Sequence, residues 1–352
     1  MKTFDYFRPA TISDAVAAAA EPGAAYLAAG TNLLDLMKGG VTGPSRLVDV
    51  TRLPGLDRIE RLPDGGIRIG ALVRNADLAH DPDFAKSYPA IAEALLSGAS
   101  AQLRNAATVG GNLLQRTRCG YFYDVASACN KREPGAGCEA RGGENRLHAV
   151  LGWSEACIAT HPSDFCVPLV ALDAVVEIEG SNGKREVAVD ALHRLPGDTP
   201  ERESVLEPGD LIVALRLPSQ ARAFSAHARY LKVRERTSYA FAVVSAAAGL
   251  RIEQGTIRDA RLALGGVAAK PWRARAAEEM LAGSRPEPDA FRRAAKAALA
   301  DAKPSGDNQF KIELAQRILV RALTLAAAGT PRRIPALPAS PFSSASGALH
   351  DA

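Results

Sequence analysis

The five cysteines are the residues of this chain whose type and spacing most clearly suggest chemistry. Three lie in the segment "CGYFYDVASACNKREPGAGC". No pair has the two-residue spacing of a zinc ribbon, and disulfides need an oxidising compartment and would leave one thiol over. Four cysteines are the usual ligand count of an iron–sulfur cluster. Spacing alone leaves a cluster, a zinc site, disulfides and scattered structural thiols open for Cys119, Cys129, Cys138, Cys157 and Cys166.

Two turns built from small residues form a second candidate site. "AAGTNLL" contains Gly30, and "ATVGGNL" contains Gly110-Gly111. Such turns let backbone approach a ligand closely, and the free amides that begin a following helix suit a pyrophosphate. Neither turn matches GxGxxG or GxxxxGK[ST], and each alone could be purely structural. Asp164 of the nearby "HPSD" could accept a hydrogen bond from a ribose or a ring N–H, or could cap a helix.

Composition excludes several classes of function. The 352 residues include 43 basic and 39 acidic side chains and no basic run interleaved with aromatic residues, so nucleic acid is not an expected partner. No apolar stretch reaches the roughly 18 residues of a membrane-spanning helix. The N-terminus lacks an apolar signal core and twin arginines, so we expect no export signal on this chain.

Strands and helices alternate in the first part of the chain. The patterns predict helices in "TISDAVAAAAEPG", from Thr31 to about Lys38 and in "YPAIAEALLSGA", and strands in "SRLVDV", "GIRIGALV" and "LIVALRLPSQ". "AQLRNAATVGGNLLQ" is predicted to be irregular, and the cysteine segment to be a loop. "SEACIATHPSDFCVPLVALDAVVEIEG" is predicted as strand, turn, helix and strand.

After about residue 223 the pattern changes to long strands with a hairpin at Gln254-Gly255. Helices are predicted at about 273–283, 289–302 and 310–328. Strands followed by helices indicate a separate α+β domain. The residues 331–352 are rich in Pro, Ser and Ala and are predicted to be a disordered or partner-docking tail.

Several segments together resemble the FAD-binding subunit of the molybdenum hydroxylases, the xanthine dehydrogenase and aldehyde oxidase superfamily. The resemblance covers about residues 1 to 328. It rests on "AAGTNLLDLMK", "GASAQLRNAATVGGNLLQRTRC", "HPSD", "LIVALRLP" and "YLKVRERTSYAFAVVSAAAGL". "NLLQRTRC" followed by "YFYD", and "SEACIATHPSD", resemble the branch of bacterial periplasmic aldehyde oxidoreductases in particular.

The resemblance implies an α+β fold. An FAD-binding domain of two α/β lobes (PCMH-type) would span 1–222, with a cysteine-rich insert at about 115–160. A C-terminal α+β domain of antiparallel strands and helices would span 223–330.

It also implies FAD contacts, in which residues 27–35 and the second turn wrap the diphosphate. Ser163 and Asp164 would lie near the adenosine, Ile212 near the flavin and Lys232 near the isoalloxazine. The implied cofactor-binding residues are Leu27, Ala28, Ala29, Gly30, Thr31, Asn32, Leu33, Leu34, Asp35, Thr108, Gly111, Asn112, Ser163, Asp164, Ile212 and Lys232.

For the cysteines, the resemblance implies one [4Fe–4S] cluster, because the aldehyde oxidoreductase branch carries such an insert. Its ligands would be Cys119, Cys129, Cys138 and Cys157. Cys166 has no place in that pattern and is expected to be a small buried hydrophobe.

The implied function is electron transfer within a heterotrimeric molybdenum-dependent aldehyde oxidoreductase. A large subunit would hold the molybdenum cofactor, and a small subunit two [2Fe–2S] clusters that pass electrons to FAD here and on to an external acceptor. No catalytic acid or base is expected on this chain. Alternatives are a xanthine dehydrogenase-type or other hydroxylase flavin subunit with a different substrate, and a self-contained FAD oxidoreductase. The expected location is the periplasm by co-export with a partner, or otherwise the cytoplasm.

Overall fold

A computed structural model of the chain describes residues 1–332, and its first 50 residues build a small lobe around a parallel sheet. The strand order is β1-β3-β2, and both pairings are parallel. Thr11 caps the first helix by accepting a hydrogen bond from the Asp14 amide at 3.1 Å. Nearly all of the predicted tail, from residue 333 onward, lies outside the described residues. The elements are β1 Asp5–Phe7, α1 Ile12–Ala19, β2 Ala24–Leu27, α2 Leu33–Lys38 and β3 Arg46–Asp49.

The second lobe contains a five-stranded antiparallel sheet in the order β4-β5-β8-β6-β7. The central strand, β8, is buried along its length apart from Arg216, which explains its nearly continuous apolar sequence. The strands are β4 Ile59–Arg61, β5 Ile67–Gly70, β6 Val175–Gly180, β7 Gly183–Ala188 and β8 Leu211–Leu217.

Short helices cover this sheet, and they differ from the prediction in one region. The stretch predicted to be irregular forms α6 and α7, because Ser100 and Thr108 cap these helices through their hydroxyl groups. The strand predicted at "SEACIA" is wrong: Ser154 and Cys157 form a single isolated bridge. The helices are α3 Asn75–His80, α4 Pro82–Ser87, α5 Pro89–Ser97, α6 Ala101–Ala106, α7 Val109–Leu113, α8 Gly120–Tyr123, α9 Cys166–Ala171 and α10 Val189–Leu192.

The C-terminal part is a four-stranded antiparallel sheet, ordered β12-β11-β10-β9, with three helices. The hairpin at Gln254-Gly255 is confirmed, and both residues have positive φ, as such tight turns require. The elements are β9 Ala228–Val233, β10 Val244–Glu253, β11 Thr256–Gly265, β12 Trp272–Arg273, α11 Arg275–Leu281, α12 Pro288–Ala298 and α13 Phe310–Ala327.

Strand β10 joins the two halves of the molecule, because both of its faces are buried. Ala246 and Ala248 pack into the core beneath α12 and α13, whereas Ala247 packs into the core of the second lobe. The predicted α+β fold is confirmed. None of the helices within residues 1–332 has the length and apolar character needed to cross a membrane.

Candidate cofactor-binding sites

The turn between β2 and α2 presents a row of backbone amides. Within residues 1–332, no amide of residues 29–33 donates a hydrogen bond to another protein group. Gly30 makes this possible with a φ of +72°. A Cβ at this position would lie 2.7 Å from Leu34 Cδ1, so a side chain would collide with the residue beneath the turn. The turn can therefore surround an anionic group with N–H donors.

The second turn faces the first from the start of α7. Thr108 accepts a hydrogen bond from the Gly111 amide at 3.3 Å. Gly110 donates to the Ala71 carbonyl at 2.9 Å, and a Cβ on Gly110 would lie 2.9 Å from Ala71 Cβ. The two adjacent glycines are thus needed for different reasons. Gly110 lets the turn pack against Ala71, and Gly111 leaves room beside Thr108.

The two turns line one cleft between the first and second lobes, which encloses about 1020 Å³ including space open to solvent. The sequence-predicted residues that line it are Ala28, Ala29, Gly30, Thr31, Asn32, Leu33, Thr108, Gly111 and Ile212.

Seven predicted residues do not line this cleft: Leu27, Leu34, Asp35, Asn112, Ser163, Asp164 and Lys232. Asp35 is exposed in the first turn of α2. Asn112 and Ser163 are linked by a hydrogen bond of 2.7 Å. The second turn is therefore tied to "HPSD" by this bond.

Asp164 and Lys232 are in direct contact, with 2.7 Å between Lys232 Nζ and Asp164 Oδ2. Tyr230 also donates to Asp164, at 2.5 Å. Burial, reinforced by this carboxylate, holds the pKa of Tyr230 well above its ordinary value. The expectation placed Asp164 at the adenosine end of FAD and Lys232 at the flavin end. The two side chains thus lie next to each other, whereas the expectation placed them at opposite ends of FAD.

Arg116 is a cleft residue that the sequence argument missed. Its amide donates to Asn32 Oδ1 at 2.9 Å, and its guanidinium pairs with Glu203 and lies 4.5 Å from the centre of the Phe122 ring. The residue therefore connects the first turn with the cysteine segment. Nothing in the sequence around this arginine, which follows "NLLQ", indicates that it makes these contacts.

Cys119, Cys129, Cys138 and Cys157 line one small pocket, with about 290 Å³ of space between atoms when space open to solvent is included. All five cysteines of the chain are free thiols. Among the described residues, no three of these four sulfur atoms lie within 4.8 Å of one another. Two sulfurs bound to one zinc lie at most about 4.6 Å apart, because each Zn–S bond is about 2.3 Å. The spacing is therefore wider than a mononuclear zinc site.

Hydrogen-bond donors surround two of these thiols. Burial raises the pKa of Cys119 to about 11, against the opposing effect of the Phe122 and Tyr121 amides. Burial likewise raises the pKa of Cys157, and here Lys131 and the Ala159 amide oppose it. Without a metal these thiols remain protonated, whereas the same donors would stabilise metal-bound thiolates.

The three residues that follow Cys129 have different roles. Lys131 lies beside Cys157 and pairs with Glu203 at 3.0 Å. Asn130 braces the segment instead, accepting from the Gly137 amide at 2.7 Å and donating to the Ala156 carbonyl at 3.0 Å. Arg132 donates to backbone carbonyls of the same segment.

Cys166 is fully buried in the core, and burial raises its pKa to about 12. One potential ligand atom from each of His161, Cys166 and His193 lies within 4.8 Å of the other two. However, His161 Nδ1 accepts from the Ser163 amide at 3.3 Å, which puts the ring proton on Nε2. In that tautomer Nε2 carries the proton and Nδ1 already accepts a hydrogen bond, so neither nitrogen of His161 is free to bind a metal.

Sequence comparison assigns the chain to a family. Residues 2–220 match the FAD binding domain in molybdopterin dehydrogenase, and residues 229–326 match the CO dehydrogenase flavoprotein C-terminal domain. The chain belongs to this family of flavin-binding oxidoreductase subunits, and the predicted resemblance to the molybdenum hydroxylases is confirmed.

Individual relatives cover nearly the whole chain. It is 49% identical to the aldehyde oxidoreductase FAD-binding subunit PaoB of Escherichia coli strain K12, over 93% of this chain and 99% of that protein. It is 27% identical to the carbon monoxide dehydrogenase medium chain of Hydrogenophaga pseudoflava, over 92% and 96%. Among solved structures, reconstituted CO dehydrogenase from Oligotropha carboxidovorans superimposes with a TM-score of 0.73 at 25% identity, over 94% and 99% of the two chains.

Proposed function

We propose that this chain is the FAD- and [4Fe–4S]-binding electron-transfer subunit of a molybdenum-dependent aldehyde oxidoreductase. The observation that carries the proposal is the cleft in which the unpaired amides of residues 29–33 face the second glycine turn. The similarity to PaoB, named as an aldehyde oxidoreductase subunit, supports an aldehyde as the substrate of the whole complex.

The residues of the cleft fit FAD. The amides of the first turn and the Arg116 side chain would hold the diphosphate, because both are donors suited to an anion. Val50, Leu56 and Leu72 supply apolar walls. Bound FAD supplies reversible one- and two-electron chemistry, and the protein positions it and sets the surrounding charge.

The Asp164–Lys232 pair would lie at the isoalloxazine end. The Lys232 ammonium donates to the Ser97 carbonyl at 3.1 Å as well as to Asp164, so its position is fixed by two partners. A fixed cation beside the pyrimidine part of the ring stabilises negative charge there. We propose this position for Asp164 in place of the expected adenosine contact, and its contact with Lys232 supports it.

For the four cysteines we propose one [4Fe–4S] cluster, in which Cys119, Cys129, Cys138 and Cys157 are the ligands. Their wide spacing around one small pocket and the N–H donors next to Cys119 and Cys157 support it. When bound, the cluster would carry single electrons.

The remaining proposals concern the assembly. A large subunit with the molybdenum cofactor and a small subunit with two [2Fe–2S] clusters would be the partners. The electron path would run from those clusters through FAD to an external acceptor. We place the complex in the periplasm, exported on a partner's signal. The similarity to medium-subunit relatives and to an aldehyde oxidoreductase subunit supports the role as one subunit of such a complex. The periplasmic location stays a prediction.

Chemical analysis of the anaerobically purified complex tests the proposal. One FAD is expected per complex, with about eight iron atoms, of which about four belong to this chain. Cys138→Ser should remove about four iron atoms and leave FAD in place, since the flavin cleft uses other residues. Cys166→Ser is the matched control and should keep all the iron. One zinc and no iron on this chain, or unchanged iron in Cys138→Ser, would refute the cluster. A chain that oxidises a substrate by itself would refute the subunit role.

A further inference from the structure

The side chain of His148 contacts one of the proposed cluster ligands. Its Nε2 lies 3.2 Å from Cys119 Sγ. The ring is buried, and its other nitrogen, Nδ1, has no hydrogen-bond partner within residues 1–332. Cys119 Sγ is thus the one side-chain partner of the imidazole in the described chain, and the Asn145 carbonyl also acts on the ring.

The backbone of His148 is fixed on both sides. Its amide donates to the Asn145 carbonyl at 2.9 Å. Its carbonyl accepts from Lys311 Nζ at 2.7 Å and from Asn308 Nδ2 at 3.1 Å. The following amide, of Ala149, donates to the Ile158 carbonyl at 2.8 Å, next to Cys157. These bonds leave the ring little freedom to move away from the sulfur.

Asn308 and Lys311 form a polar bracket that comes from the C-terminal domain. Both side chains are fully buried. Lys311 donates to the carbonyls of Leu147 at 2.8 Å and Gly266 at 2.6 Å in addition to His148. Burying an ammonium group is costly unless its donors are all satisfied. Two of its three acceptors belong to the segment that carries His148, so the bracket orders that segment in particular.

We propose that His148 is a positioning residue for electron transfer: its Nε2–H donates a hydrogen bond to the Cys119 thiolate and stabilises the reduced, more negative state of the cluster. The inference rests on the cluster proposed above. Nδ1 is then the unprotonated nitrogen. Hydrogen bonds to cluster sulfurs raise the reduction potential, and donors to charged acceptors are the stronger ones. Asn308 and Lys311 hold the donor in place.

Three variants of the purified complex test this inference. His148→Phe keeps a ring but removes the donor, and His148→Gln keeps an N–H near the position of Nε2. His80→Gln changes an exposed histidine at the end of α3. The readouts are iron, sulfide and FAD content, and the midpoint potential of the [4Fe–4S] signal. That signal is separated from the [2Fe–2S] signals by low-temperature EPR.

In His148→Phe we expect the equilibrium constant for one-electron reduction of the cluster to fall about tenfold, because the lost hydrogen bond is stronger to the reduced, more negative cluster than to the oxidised one. Tenfold corresponds to about 59 mV. His148→Gln should keep most of the wild-type potential, and His80→Gln all of it. Loss of the cluster in His148→Phe but not in His148→Gln would also support the hydrogen bond from His148 to Cys119.

Equal potentials in wild type and His148→Phe, or loss of the cluster in both His148 variants, would overturn the inference while the proposed function stands. A wild-type complex without the [4Fe–4S] signal would overturn both.

Discussion

The first glycine turn allows a quantitative test of the flavin cleft through Gly30→Ala. At a φ of +72° an L-residue costs about 1–2 kcal/mol. The new Cβ would lie 2.7 Å from Leu34 Cδ1 and 2.9 Å from Leu34 Cγ, so the Leu34 side chain must also shift. We therefore expect the free energy of unfolding to fall by roughly 1–2 kcal/mol.

The effect on FAD should be separate from this loss of stability. Rotation of the turn would misalign the unpaired amides of residues 29–33. A lost hydrogen bond to a charged group is worth about 1.5–3 kcal/mol, so the Kd for FAD should rise about 10- to 100-fold. FAD can be removed from the purified complex and added back while the quenching of its fluorescence is followed.

Gly283→Ala is the matched control. Gly283 has a φ of +80°, and a Cβ there would meet no heavy atom within 4 Å. It lies between α11 and α12, outside the cleft. The control should lose a similar amount of stability and bind FAD normally. If Gly30→Ala also binds FAD with wild-type affinity, the assignment of this turn to the diphosphate is refuted.

Two further substitutions test the framework around the sites. Hydrogen bonds from Thr51, Tyr6 and Arg8 outweigh partial burial and lower the pKa of Asp49 to about 2, from 3.8. This carboxylate therefore stabilises the fold above about pH 4, by roughly 2 kcal/mol, and that contribution is lost as the pH falls towards 2. Asp49→Asn should flatten the dependence of the free energy of unfolding on pH in this range. If the free energy of unfolding of this variant fell with acid as steeply as in the wild type, the role given to Asp49 would be contradicted. Lys311→Met leaves buried carbonyls unpaired and should lower the free energy of unfolding by roughly 2 kcal/mol, which would appear as a lower denaturant midpoint. Lys296→Met, at an exposed position, is the control. Equal midpoints for the two variants would contradict the role of the bracket.

The sequence predicts the two glycine turns that line the cleft because their signals are local. Gly30 and the Gly110-Gly111 pair mark turns whose backbone conformation and packing exclude larger residues, and the structure places both turns on one cleft. The short helices on either side of Ala107 were missed, because single hydroxyl caps outweigh a composition that is typical of irregular structure.

Other features depend on contacts that no local pattern contains. The bond from Lys311 to His148 spans 163 residues, and the contact between Lys232 and Asp164 spans 68. Each lysine alone resembles a surface residue in sequence. The burial of each lysine depends on partner groups from another domain, so the sequence around the lysine does not indicate it.

The supports of the cysteine segment have a consequence for protein engineering. Lys131 donates to the Pro200 carbonyl at 2.8 Å in the second lobe, and Asn145 accepts from the Asp307 amide at 2.7 Å in the C-terminal domain. Lys311 closes the same segment from α13. Transplanting residues 115–160 into a related flavoprotein would therefore move the four thiols without the groups that hold them. A functional graft must carry three separate pieces of the chain.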